Sequence, residues 1–244
     1  ASRRTGIPGP NITVCATHSH SVPNTLNFWG WGEVEQAYID AALPAIIQSV
    51  ADAHGARREV QIGFATTESL VGVNRRGVRE DGGICLRASP ADPFDPTLTV
   101  AHVRDVSGAD VGIVVHYGAH GTAMGVNRLV SRDWCGVMKD RIESQFAAPV
   151  VFLNGAIGDV GPRTNFRAEG GLSAGVGDGV HAVREVGYRG ATDAIRALLS
   201  IKEWRDGLRL AVWTDDIFLP YAPLLPLAEA EREVARWESR KDEW

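Results

Sequence analysis

The chain has 244 residues, 44% hydrophobic and 23% charged, which is enough apolar material for one large domain or two small ones. Its net charge of −5 gives no reason to expect nucleic acid or an anionic membrane surface as a partner. No run of about 18 apolar residues occurs, so the sequence contains no candidate transmembrane helix. Cys15, Cys85 and Cys135 are far apart and form no CxxC pair, which favours free thiols over a disulfide framework or a thiolate zinc site.

Short apolar runs alternate with segments of helical spacing along the chain. In chain order they predict a strand at Asn11–Thr17, a helix at Glu33–His54, strands at Val60–Thr66, Leu98–Asp105 and Val111–Tyr117, a helix from Ser131 or Asp133 to Phe146, a strand at Val150–Asn154, a helix at Val183–Ile201, strands at Leu208–Trp213 and Asp216–Leu219, and a helix at Leu227–Asp242. This alternation predicts an α/β fold in a single domain over residues 1–244. We expect a mixed sheet flanked by helices, with the site at the carboxyl ends of strands.

Two histidines, His18 and His20, stand one residue apart after the first predicted strand. Neutral imidazole is a common zinc ligand. In an extended strand the two side chains would point to opposite sides, whereas a turn would bring both imidazoles into one cavity. The alternative interpretation is a pair of loop histidines with no shared task, because this spacing is common.

Two further segments leave buried strands through glycine-flanked loops. His120 follows the strand at Val111–Tyr117, and α/β proteins place ligands at the carboxyl ends of such strands. The glycine-rich segment Asn154–Arg163 follows the next strand, and its glycines allow close approach of the backbone to a ligand. His116 lies within a strand, so we predict a packed or hydrogen-bonded core histidine.

In this order the segments resemble the motifs of the neutral/alkaline (non-lysosomal) ceramidase family, over residues 11–165. The family motif T-H-T-H-S-G-P-G is matched by T-H-S-H-S-V-P-N from Thr17, and the family motif V-N-R is matched by Val73-Asn74-Arg75. The motif A-T-H-G-T-S-M with a following S-G-D is matched by G-A-H-G-T-A-M from Gly118, with V-S-R-D ending at Asp133. The motif N-x-G-D-V-S-P-N is matched by Asn154 with Gly158-Asp159-Val160-Gly161-Pro162-Arg163. Four motifs in the same order are far more specific than any one of them.

The resemblance implies a role for each matched residue. His18 and His120 correspond to zinc ligands, and His20 corresponds to the histidine that handles protons on the water or the leaving amine. Arg75 corresponds to an arginine that lines the substrate site. The implied activity is Zn²⁺-dependent hydrolysis of an N-acyl sphingoid or a related small-molecule or lipid amide, in a secreted or periplasmic protein. Zinc suits this chemistry because it polarises a carbonyl and acidifies water.

Asn74, Asp159 and Gly161 are assigned to the substrate loop by the same resemblance, with Asp159 expected to brace that loop by hydrogen bonds. Gly161 stands where the family carries a serine at the reaction centre. A serine-acyl mechanism is therefore not available at this position, whereas metal-assisted hydrolysis does not require the serine. The alternative function is a non-catalytic ceramidase-like protein that binds a ligand or a partner chain.

The resemblance further implies part of an N-terminal catalytic domain that lacks its own N- and C-terminal portions. Only 17 residues precede His18, and the family's remaining zinc ligands, a glutamate and a tyrosine, would lie past Trp244. A catalytic zinc usually has three protein ligands. We therefore expect other residues, a second chain or self-association to complete the site, or else weak metal binding.

Overall fold

The computed structural model of the protein describes residues 1–28, 32–164, 176–221 and 223–241. The chain divides into two compact units, Ala1–Leu210 and Ala211–Trp244, and the single domain over residues 1–244 stays a prediction. Across the described ranges, no helix has both the length and the apolar character needed to cross a bilayer.

Five α-helices and eight strands make up the described structure. The helices are α1 (Ser2–Thr5), α2 (Gln36–Gly55), α3 (Asp133–Phe146), α4 (Val176–Leu199) and α5 (Leu227–Glu238). The strands are β1 (Val60–Glu68), β2 (Gly72–Asn74), β3 (Arg76–Val78), β4 (Ile84–Leu86), β5 (Thr97–Asp105), β6 (Asp110–Tyr117), β7 (Val150–Asn154) and β8 (Val160–Pro162). The three-residue strands β2, β3, β4 and β8 were not predicted, because runs so short have no periodicity to detect.

The main sheet is mixed, as predicted, and has the strand order β1-β5-β6-β7. β5 is antiparallel to both β1 and β6, while β6 and β7 are parallel. A parallel pair needs a crossover connection, and α3 supplies it. Because β6 and β7 run in the same direction, the loops that follow them leave from one edge of the sheet. The β2–β8 pair joins the loop after β7 to the segment after β1.

The hydrophobic core lies between the main sheet and the helices α3 and α4. Val115 is paired with Val100 on β5 and with Phe152 on β7, and all three side chains are buried in this core. They lie on the same face because successive side chains of a strand point to opposite faces of the sheet. The opposite face carries Phe64 and Val151, which are 53% and 54% exposed. His116 lies on this second face and is exposed, so the prediction of a core histidine was wrong.

Three predicted strands are absent from the described structure. Asn11 ends a 3₁₀ helix, and the segment that follows has no strand pairing until Ser19 forms a single bridge to Gly121. The predicted strands at Leu208–Trp213 and Asp216–Leu219 are unpaired chain, with Leu210 91% and Phe218 92% exposed. Apolar, β-branched composition alone does not make a strand, because its backbone groups need a neighbour to pair with. Asp242, the predicted end of the last helix, lies outside the described residues.

Candidate metal centre

Three histidine rings meet at the edge of the sheet where β6 ends. The ring centroids of His18 lie 4.7 Å from those of both His20 and His120, and the His20 and His120 centroids are 5.6 Å apart. One ring nitrogen from each residue lies within 4.8 Å of the others. Three imidazole nitrogens are a type of ligand set that suits zinc. The structure therefore brings His20 together with His18 and His120, the two ligands implied by the family resemblance.

The backbone at His18 explains how the first two imidazoles reach one side of the chain. His18 has φ = 60°, a left-handed conformation that is uncommon for a residue other than glycine. The resulting turn places Nε2 of His18 3.1 Å from Nε2 of His20. The main-chain N–H of His20 donates to the oxygen of Gly121 at 3.1 Å, which ties this turn to the loop that carries His120.

The third imidazole is oriented by the strand β8. Nδ1–H of His120 donates to the main-chain oxygen of Val160 at 3.1 Å, so Nε2 is the unprotonated nitrogen that carries the lone pair. A backbone carbonyl on the second ring nitrogen is the usual support of a metal-binding histidine. Nη2 of Arg75 donates to that same Nε2 at 3.0 Å. The Arg75 guanidinium and a metal would therefore use the same lone pair of His120.

Burial and positive charge keep two of these imidazoles neutral. Burial lowers the pKa of His120 to about 4, and the charge of Arg75 acts in the same direction. His20 keeps access to solvent, but partial burial lowers its pKa as well, with smaller contributions from His18 and Arg75. Metal ions bind the deprotonated ring, so a lowered pKa favours ligation at neutral pH.

A buried carboxylate anchors the loop that carries His120. Asp133, only 1% exposed, accepts hydrogen bonds from the main-chain N–H groups of Ala123, Met124 and Trp134 at 3.0, 2.9 and 2.7 Å. Nε1–H of Trp134 donates to the main-chain oxygen of His120 at 2.9 Å. Burial raises the pKa of Asp133, and the three N–H donors oppose that shift. Sequence reasoning placed Asp133 at the start of a helix but missed this anchoring contact, which depends on the folded loop.

The remaining predicted residues surround Arg75. Its guanidinium donates to the oxygen of Gly158 from Nη2 at 3.0 Å, and its main-chain N–H donates to the oxygen of Asp159 at 2.7 Å. Burial lowers the pKa of Arg75 and the charge of Arg76 adds to this shift, while the Asp159 carboxylate opposes it. Asn74 is buried, and its Oδ1 accepts from the main-chain N–H of Arg76 at 2.9 Å. Gly161 lies on β8 opposite Val73, so it joins the pairing that supports His120.

Two cavities differ in their relation to this centre. A cavity of about 210 Å³ is lined by Arg75, Arg76, Ile84, Cys85, Leu86 and Gly158, and we call it the Arg75 cavity. It adjoins the histidines through Arg75, which contacts His120. A larger cavity of about 720 Å³ is lined mainly by α4 and the chain after β1, and none of the three histidines lines it. The smaller cavity is therefore the one placed to hold a group that reacts at the histidines.

Replacing Gly121 with alanine is expected to weaken zinc binding about 10- to 100-fold, as loss of support around a metal ligand usually does. A Cβ at Gly121 would lie 2.9 Å from the oxygen of His18 and 3.0 Å from Cα of Ser19, so the two histidine segments would have to separate. The zinc dissociation constant, measured by competition with a chromogenic chelator, checks this result. Gly112→Ala is the matched control, because its Cβ would meet the oxygen of Pro149 at an ordinary 3.7 Å. Equal affinity in the Gly121 variant and the parent would contradict the close-approach argument.

Comparison with known proteins finds similarity only at the level of structure. The chain matches no protein-family model and no curated protein sequence. It is similar to the crystal structure of neutral ceramidase from Pseudomonas aeruginosa, with a TM-score of 0.57, 18% identity, and coverage of 72% of this chain and 28% of that chain. It is also similar to a ceramidase complexed with C2, with a TM-score of 0.53, 19% identity, and coverage of 69% and 27%.

The chain thus spans little more than a quarter of the length of these two structures. At this identity the similarity shows a shared fold, and the predicted resemblance to neutral ceramidases is confirmed at that level. The α/β fold, with its mixed sheet flanked by helices, fits part of a ceramidase-like domain.

Proposed function

We propose that this chain belongs to a zinc-dependent hydrolase that cleaves the amide bond of an N-acyl sphingoid or a related amide. The observation that carries the proposal is the meeting of three imidazole nitrogens within 4.8 Å, beside the guanidinium of Arg75. The fold shared with two ceramidase structures supports the amide-hydrolase class.

The three histidines have the properties that zinc requires. Nε2 of His120 presents a lone pair because Nδ1–H is engaged by Val160, and the lowered pKa values of His20 and His120 favour neutral rings. His18 and His120 would hold the ion, and His20 would lie beside it. When bound, zinc supplies Lewis-acid polarisation of an amide carbonyl and lowers the pKa of water to about 7.

Arg75 and His20 are assigned complementary tasks in this proposal. Arg75 is a planar donor held by Gly158, and once released from Nε2 of His120 it can donate to the carbonyl oxygen of an amide as negative charge develops there. His20 is exposed, so its neutral imidazole can take a proton from the attacking water and pass it to the leaving amine. Gly161 leaves no serine at this position, so no step uses an acyl-serine.

Replacing His20 with alanine is expected to lower kcat by about 100-fold or more, the usual contribution of a positioned acid–base group. Arg75→Ala is expected to raise KM for the same amide. The experiment measures hydrolysis of a fluorogenic N-acyl amide by the zinc-loaded chain, together with zinc per chain by elemental analysis. His116→Ala is the matched control, because His116 is an exposed histidine that does not belong to the three-histidine group.

The zinc content separates the two possible contributions of His20. Zinc retained in the His20 variant assigns its loss of turnover to proton transfer, whereas zinc lost assigns His20 to the ligand set. A zinc-loaded parent that cleaves no amide, or parent-like kinetics in both variants, would refute the hydrolase proposal.

The second candidate function is a non-catalytic protein that binds a ligand or a partner chain, and Gly161 at the position of the family serine favours it. This alternative includes a second chain or self-association that completes the domain. It predicts little zinc per chain and no hydrolysis. Light scattering tests the association directly, since a monomer has a mass of 26.3 kDa.

A further inference from the structure

The Arg75 cavity combines two guanidinium groups with an apolar wall. Arg75 and Arg76 come from the start of the β3–β4 hairpin, and Ile84 and Leu86 come from its second strand. No carboxylate lines the cavity within the described part of the chain. The protein as a whole carries a net charge of −5, so this positive cavity runs against its overall charge.

Arg76 differs from the other arginines of the same hairpin. Arg79 forms an ion pair with Asp81 at 3.3 Å, and Arg87 donates to the main-chain oxygen of Val78 at 2.5 Å. The described residues provide no ion-pair partner for the Arg76 guanidinium, although its main-chain N–H is bound by Asn74. Two neighbouring cations facing one cavity repel each other, and an anion between them would remove that repulsion.

We propose that the substrate is an amide whose amine part carries a carboxylate, as in an N-acyl amino acid, and that Arg76 binds this carboxylate. The inference rests on the proposed amide hydrolysis and names its substrate class. Arginine binds carboxylates through two parallel N–H donors, which suits a group held in a fixed orientation. In an N-acyl amino acid the carboxylate is separated from the amide nitrogen by a single carbon, so adjacent arginines can serve the amide carbonyl and the carboxylate.

The size of the cavity agrees with this assignment. Its volume of about 210 Å³ is below the roughly 300 to 1,000 Å³ of a typical pocket for a small-molecule ligand. That is room for a small polar group with a few carbon atoms, and too little for two long hydrocarbon chains. Ile84 and Leu86 can contact those carbons, while the rest of an acyl chain would lie outside the cavity.

The test compares two amides of nearly equal size, N-hexanoylglycine and N-hexanoylethanolamine, which differ in a carboxylate against a hydroxymethyl group. With the zinc-loaded chain we expect kcat/KM to be at least about 10-fold higher for the glycine amide, the usual size of a charge-assisted hydrogen bond. Arg76→Gln should remove most of this preference. Arg79→Gln should retain the parent ratio, because Arg79 is paired with Asp81 away from the cavity.

Binding of both amides is also followed by NMR titration, which does not depend on turnover. If neither amide is cleaved but the glycine amide binds more tightly, and Arg76→Gln abolishes this difference, the hydrolase proposal fails and the carboxylate site stands. Equal handling of the two amides by the parent in both assays overturns the inference. An equal loss of preference in the Arg76 and Arg79 variants also overturns it, because general positive charge would then account for the effect.

Discussion

Replacing His120 with alanine is expected to weaken zinc binding by more than about 100-fold. Loss of a residue that merely supports a metal ligand typically costs about 10- to 100-fold, and His120 is assigned as a ligand itself. It is the most buried of the three histidines, and its ring is fixed by Val160. Zinc affinity by chelator competition checks the prediction, and circular dichroism confirms that the variant is folded.

His18→Ala should behave like the His120 variant, because both residues are assigned to the same ion. His116→Ala and His54→Ala are the controls, since neither belongs to the three-histidine group. Equal zinc loss in all four variants, or no zinc in the parent protein, would remove the basis for the metal centre.

Asp133→Ala is expected to lower the free energy of unfolding by about 3 to 5 kcal/mol. The substitution leaves three buried main-chain N–H groups without the carboxylate that now accepts their hydrogen bonds. It also loosens the loop whose His120 oxygen is held by Trp134, so zinc affinity should fall together with stability. Urea denaturation with and without zinc measures both effects.

Two further variants test whether the buried carboxylate of Asp133 is the cause of this loss. Asp133→Asn should cost less than Asp133→Ala, because asparagine keeps an acceptor and tolerates the positive φ of 54°. Asp140→Ala, on the same helix, removes an exposed ion pair with Arg132 and should cost no more than about 1 kcal/mol. A similar loss in the Asp133 and Asp140 alanine variants would contradict the anchoring role.

The secondary structure was predictable where a segment carried its own signal. β5, β6 and β7 are apolar runs bounded by turn residues, and α3 has helical spacing, so these elements were found within a residue or so of their bounds. Asn11–Thr17 has the β-branched composition of a strand but pairs with no strand of the described structure. His116 lies on the exposed face of the main sheet, and the sequence did not show which face would be buried. Whether a strand pairs, and which of its faces is buried, depends on other parts of the chain, so local composition could not decide either.

The sequence by itself determined which residues can bind a metal and in what order they occur, because imidazoles, glycines and strand ends are visible in the residue types. The tertiary structure decided that His20 joins His18 and His120, that Arg75 donates to His120, and that Asp133 anchors the loop. These contacts join residues up to about a hundred positions apart in the chain. Their distances depend on the parallel pairing of β6 with β7 and on the left-handed turn at His18, which are set by packing and hydrogen bonding across the whole fold.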